Sequence, residues 1–277
     1  MTTLAVGLST CPNDTFLFAP LVQGRVDRRG LELRFELADV QELNQALAAG
    51  RLAVGKASFA AALALSADYG VLPVGSALGF GVGPVLLGRP GGPALDQLPG
   101  VGSILCPGAD TTASLLLAAL HPALAERSEQ VRFDAIMPAL AQGAADAGVC
   151  IHEGRFTYAE QGLTLLDDLG ARWEHETDAP VPLGGLLARH DLGPELHATL
   201  ALLLGESLAA ARADPAACLA FMREHAIELA DDVIWKHVEL YVNAHTTDLG
   251  QVGALALAQL AARAGHRAAP RILCAPA

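Results

Sequence analysis

The amino-acid sequence predicts an α/β protein of two lobes with a ligand cleft between them, and three observations lead there. Strand-like and helix-like segments alternate through the first third of the chain. A cluster of prolines and glycines, Arg89-Pro90-Gly91-Gly92-Pro93, then interrupts the pattern, and a second α/β series follows. A second break, from Pro180 to Gly185, leads into one more strand and then an almost wholly helical stretch. Alternation of this kind implies largely parallel sheets covered by helices on both faces. Two breaks imply that the chain leaves one domain and returns to finish it. The domains so defined are residues 1–89 with 182–277, and residues 90–181.

The elements follow in order. Residues 4–8 form the first strand and 13–23 the first helix. Residues 31–37 alternate apolar and charged side chains at a period of two, a strand with one polar face. Asp39 caps a helix that runs through Leu43 and Leu47 to Gly50. Residues 52–55 are a strand, 59–65 a helix, and 71–74 and 82–87 two further strands. In the second series, strands are expected at 102–106, 131–133, 147–151 and 163–166, with helices at 110–120, 136–142 and 157–161. In the last stretch Asp214-Pro215 opens a helix with Leu219, Met222, Ala226 and Leu229 along one face. Asp231 or Asp232 caps another, which carries Ile234, Val238, Tyr241 and Val242.

Composition narrows the partners. With 52% hydrophobic residues in 277, the chain can bury a large core. A net charge of -12 argues against a nucleic-acid partner, which needs clustered Lys and Arg. Lysine occurs only at Lys56 and Lys236, so Lys56 stands out. The cysteines (Cys11, Cys106, Cys150, Cys218, Cys274) are scattered and form no C-x-x-C pair. They read as reduced thiols of a cytoplasmic protein, not as a disulfide framework or zinc site. No basic n-region precedes the first apolar run, so no secretory leader is expected. The uncharged run 69–88 is broken by Pro73, Pro84 and several glycines, which excludes a membrane-spanning helix and suits two short strands.

Four segments carry candidate chemistry. Cys11-Pro12-Asn13-Asp14-Thr15 joins the first strand to the first helix, where free N–H groups and the side chains of Ser9, Thr10, Asn13 or Thr15 can bind an anion. A helix cap with a buried cysteine explains the same residues, and no histidine lies near Cys11 in sequence to activate it. Lys56-Ala57-Ser58-Phe59 ends a strand and opens a helix, with Ser58 as N-cap. In Pro107-Gly108-Ala109-Asp110-Thr111-Thr112-Ala113, two hydroxyls meet a helix start, a carboxylate cradle or simply a cap. Ile151-His152-Glu153-Gly154-Arg155 brings a histidine to a strand's carboxyl end, where it can exchange a proton near neutral pH; an ordinary polar strand end is the alternative. His225, His237 and His245 read as surface or helix-face residues. H-E-x-x-H is absent and Gly79-x-Gly81-x-Gly83 lacks dinucleotide spacing, so no metal and no cofactor is expected.

Taken together, Cys11-Pro12-Asn13-Asp14-Thr15-Phe16, Lys56-Ala57-Ser58-Phe59, the segment from Pro107 to Ala113, and Ile151-His152-Glu153-Gly154-Arg155-Phe156-Thr157-Tyr158 resemble the 1,4-dihydroxy-6-naphthoate synthase family of the futalosine route to menaquinone. The segments Pro182-Leu183-Gly184-Gly185 and Val233-Ile234-Trp235-Lys236-His237 add to the resemblance, which covers essentially the whole chain. It implies a type II periplasmic-binding-protein-like fold used as a carbon–carbon lyase, without metal or redox cofactor. The substrate implied is a small carboxylate, cyclic dehypoxanthinyl futalosine, and the products are 1,4-dihydroxy-6-naphthoate and dihydroxyacetone. By motif, His152 is the implied proton acceptor. Lys56, Ala57 and Ser58 line one wall of the implied pocket and Thr112 with Ala113 the other; Asn13 and Thr111 are further candidates. Gly55 stands where the family commonly has threonine, and Phe59 where it has tyrosine. A solute-binding protein for a small carboxylate and the related chorismate dehydratase are the alternatives; the oligomeric state is not legible.

Overall fold

The computed structural model describes residues 2–152, 154–226 and 230–274. Leu229 of the expected apolar stripe, and Glu153, lie outside the described residues.

The first sheet begins with β1 (Thr2–Ser9), α1 (Pro12–Val22), β2 (Leu31–Ala38), α2 (Val40–Ala48), β3 (Val54–Ser58) and α3 (Phe59–Ala64). Asp39 caps α2 in a capping box with Glu42, as its position before the apolar run predicts. Two short strands follow, β4 (Tyr69–Val71) and β5 (Ala77–Gly79). The second sheet is built from β6 (Val85–Gly88), α4 (Leu98–Val101), β7 (Ile104–Cys106), α5 (Thr112–Leu120), α6 (Pro122–Ala125), β8 (Ser128–Gln130) and α7 (Phe133–Ala141). It is completed by β9 (Ala147–Cys150), α8 (Gly154–Thr157), β10 (Thr164–Asp168) and α9 (Leu169–Thr177). The chain returns through β11 (Val181–Arg189) and closes with α10 (Gly193–Ala213), α11 (Ala216–His225), α12 (Asp231–Tyr241), α13 (Ala244–Thr247) and α14 (Gly250–Arg263).

The sheet orders are β2-β1-β3-β11-β4, with β5 also on β11, and β10-β6-β9-β7-β8. Both sheets are mixed, which corrects the expectation of largely parallel ones. β2-β1-β3 and β9-β7-β8 are parallel, whereas β11 runs against β3, β4 and β5, and β6 against β9 and β10. Antiparallel strands flank both crossings, β5 and β6 at the first and β10 and β11 at the second. The first crossing also lies earlier than Arg89–Pro93. β6 pairs in the second sheet, so the chain changes sheet between Gly79 and Val85. Gly83 makes that passage possible, because a Cβ there would stand 2.2 Å from the Cα of Gly170. Two smaller expectations shift as well. The strand expected at 131–133 lies at Ser128–Gln130, and Phe133 opens a helix instead. Ala230, not Asp231 or Asp232, is the N-cap of α12, and Asp231 pairs with Arg223.

Strands with apolar residues at every position bury both faces. In β6, Leu86 joins a core that also holds Leu43 of α2, Phe59 of α3, and Val181 and Leu187 of β11, while Val85 and Leu87 turn to Ile136 and Leu140. One apolar core therefore runs through both lobes. On the far side of the first sheet, Leu4, Val6 and Leu8 meet α1, which packs on α10, α11 and α12.

Candidate active site

One cavity forms where the carboxyl ends of β1, β3 and β9 face the start of α5. It gathers His152, Lys56, Ala57, Ser58, Asn13, Thr111, Thr112 and Ala113 from segments far apart in the chain. Cavities at strand carboxyl ends between lobes are where α/β folds hold ligands.

The floor is a buried charge network. Lys56 is 5% exposed; its Nζ donates to Asp14 Oδ1 at 2.7 Å and to the Gly75 carbonyl at 3.0 Å. That leaves one of three ammonium donors for a guest. Asp14 also accepts from Ser9 Oγ at 2.6 Å and from Asn13 Nδ2 at 2.8 Å. A carboxylate with that many donors is a structural keystone as much as a site group. The Asn13 Oδ1, turned away from Asp14, accepts from His237 Nε2 at 3.0 Å.

The hydroxyls of the cradle are used differently from the expected pattern. Ser58 occupies the N-cap position of α3 without capping it. Its Oγ instead accepts from Asn44 Nδ2 at 3.2 Å, so its own proton remains to donate. Thr111 caps α5 through Ser114 N and donates to the Gly108 carbonyl. Thr112 Oγ1 donates to the Leu183 carbonyl at 2.8 Å and accepts from Ala60 N, so it ties α5 to the first lobe. What α5 offers a ligand is therefore its first N–H groups, at Thr112 and Ala113, which have no intrahelical acceptor. At the β1–α1 joint the expected anion cradle is mostly spent: Pro12 lacks an N–H, and Asp14 N and Thr15 N donate to the Cys11 carbonyl.

His152 follows β9 with φ 58°, in the left-handed region that a non-glycine residue enters at a cost of about 1–3 kcal/mol. Its ring meets the edge of Phe133 at 4.8 Å, and Cys11 Sγ lies 3.1 Å from its Nδ1. Fold thus supplies the histidine that sequence proximity denied Cys11. Burial pulls the His152 pKa from 6.5 down to about 4; the Asp14 carboxylate opposes this and the Lys56 ammonium adds to it. Arg155 is not a cavity group. It pairs with Asp168 at 2.6 Å and donates to the Gly83 carbonyl at 2.7 Å, which pins the crossing segment. Phe59, in the place of a family tyrosine, is fully buried against Gly185.

Residues 4–266 match the sequence model of a family described as menaquinone biosynthesis. The chain belongs to this family. Among curated relatives, a 1,4-dihydroxy-6-naphtoate synthase from Thermus thermophilus is 46% identical over 96% of each chain. One of the same name from Streptomyces coelicolor is 39% identical over 95% of this chain and 93% of its own. The fold is that of periplasmic binding proteins: the aliphatic sulphonate binding protein of Escherichia coli superposes with a TM-score of 0.61 at 17% identity, covering 99% of this chain and 90% of that one.

In this member of the menaquinone biosynthesis family, sequence reasoning missed two groups. His237, assigned above to a helix face, is 1% exposed and borders the cavity with Tyr241. Their rings lie 4.3 Å apart, and the Tyr241 hydroxyl donates to the Val82 carbonyl at 3.1 Å. The signal was present: Ile234, His237, Val238 and Tyr241 share the i, i+3, i+4, i+7 spacing of a buried stripe. A histidine on such a stripe is a buried histidine. Burial holds the His237 pKa well below 6.5, and His152 and Lys56 add to the effect.

The family member's stability therefore depends on pH with a definite sign. Both imidazoles are proton-free in the folded state where the unfolded chain binds protons, below about pH 6.5. Their contribution is fully present above that pH and is lost as pH falls; for His152 the loss runs to about pH 4 and is on the order of 3 kcal/mol. Denaturant midpoints across pH 4–7 for wild type and His152→Asn measure it. The variant is expected to show the shallower slope, and equal slopes contradict the assignment.

Proposed function

We propose that the chain is a carbon–carbon lyase that converts cyclic dehypoxanthinyl futalosine into 1,4-dihydroxy-6-naphthoate and dihydroxyacetone in the cytoplasm, with His152 as general base. The observation that carries the reading is the opposition of a neutral, partly buried imidazole to a set of anion donors across one cavity. Those donors are the Ser58 hydroxyl, the remaining Lys56 N–H and the first amides of α5. They hold the substrate carboxylate and fix its orientation. His152 takes a proton, the bond to the three-carbon fragment breaks, and its electron pair passes into the new ring, which becomes aromatic. The fragmentation turns one molecule into two and requires no co-reactant. The name carried by the two curated relatives supports the product.

Incubation of the purified protein with the cyclic precursor tests this. The naphthoate chromophore is expected to appear in the ultraviolet, with and without chelator. Binding of the precursor without product turns the reading toward a solute carrier, and turnover of chorismate turns it toward the related dehydratase.

A further inference from the structure

We propose that His237 is a second substrate-contacting imidazole, whose Nδ1 accepts a hydrogen bond from a hydroxyl of the sugar-derived part of the substrate. The inference rests on the reading above and assigns the part of the pocket that the carboxylate donors leave open.

The tautomer follows from the network. Asp14 accepts from Lys56 and Ser9, so the group Asn13 presents to it at 2.8 Å is the Nδ2 donor. Asn13 Oδ1 is then the atom that faces His237 Nε2 at 3.0 Å, and only an Nε2–H can satisfy it. A neutral imidazole with its proton on Nε2 carries a bare lone pair on Nδ1. That Nδ1 is buried and, among the described residues, has no hydrogen-bond partner. Buried acceptors are rarely left unpaired, and here the residue borders the cavity.

Position agrees with the chemistry. The His237 ring lies nearly parallel to that of His152, with centroids 6.4 Å apart and planes inclined by 29°. Tyr241, bonded to the Val82 carbonyl, packs against the same ring at 4.3 Å. The anion donors of Ser58 and α5 belong to β3 and the second lobe, whereas His237 comes from α12. A substrate with its carboxylate on the former presents its hydroxylated end to the latter. An acceptor is what a hydroxyl needs there.

Two substitutions separate this role from a structural one. His237→Gln keeps a donor for Asn13 but removes the Nδ1 acceptor; His237→Asn returns an oxygen near the Nδ1 position. Steady-state kinetics with the cyclic precursor, and calorimetric binding of 1,4-dihydroxy-6-naphthoate, which lacks the polyol, are read for both. His237→Gln is expected to raise KM about tenfold, the worth of one hydrogen bond to a buried group, with naphthoate affinity unchanged and part of the loss recovered in His237→Asn. An unchanged KM, or equal weakening of precursor and naphthoate, overturns the proposal. Nitrogen NMR of the folded His152→Asn protein gives an independent reading. The His237 Nδ1 resonance should move upfield with precursor and not with naphthoate, and a resonance that stays in place overturns it. Absence of turnover in wild type overturns the lyase reading itself, whereas an active wild type with an indifferent His237 overturns this inference alone.

Discussion

Replacement of His152 by asparagine is expected to lower kcat by about 10²–10⁴-fold, the usual worth of a positioned general base. Asparagine suits the test because it tolerates the left-handed backbone that His152 adopts at φ 58°. The variant should therefore fold, keep its contacts with Phe133 and Cys11 in part, and bind the precursor nearly as well as wild type. A pKa near 4 leaves the imidazole able to accept a proton throughout the neutral range. The acid limb of kcat/KM, which reports the free enzyme, should accordingly lie well below 6.5. A bound substrate carboxylate favours the imidazolium, so the limb in kcat should lie at higher pH. Near-normal turnover in the asparagine variant removes His152 from the base role, whatever its binding behaviour.

Loss of one partner from the Asp14–Lys56 pair is expected to be the most destabilising single change in the site. Both side chains are buried, and Lys56 Nζ and Asp14 Oδ1 are 2.7 Å apart. Asp14→Asn or Lys56→Met leaves an uncompensated buried charge, which costs about 3–5 kcal/mol. For a chain of this length that lowers Tm by roughly 10 °C. The double variant Asp14→Asn/Lys56→Met has no stranded charge and should lose less than the sum of the two single changes. Thermal melts of all four proteins measure the coupling. Additive losses would falsify the idea that each charge is retained for the other.

Much of this was legible in the sequence where the signal is local. Asp39 before an apolar run is a cap wherever the chain goes, and Pro107 to Thr112 marks a helix start in any fold. Four of the segments that meet at the cavity were therefore identifiable, and the α12 segment with His237 and Tyr241 was not. Nor were the strand pairings. Three apolar side chains in β6, Val85 to Leu87, look the same in either sheet and either direction, because strands buried on both faces lose the alternation that would place them. The hydroxyls of Thr111 and Thr112 could be counted, but whether they face a ligand or the Leu183 carbonyl depends on how the lobes meet. Cys11 and His152 are neighbours only through the fold. His237 was read as a surface or helix-face residue, because the sequence alone does not say which side of α12 meets the cavity.

The apolar core common to Leu43 and Phe59 on one side and Leu86, Ile104 and Val149 on the other has a consequence for how this protein comes apart. Neither half can be stripped away without exposing the oil that seals the other. Unfolding is therefore expected to be cooperative across both lobes, and a protease cut at the Arg89–Pro93 turn is expected to release no independently folded fragment.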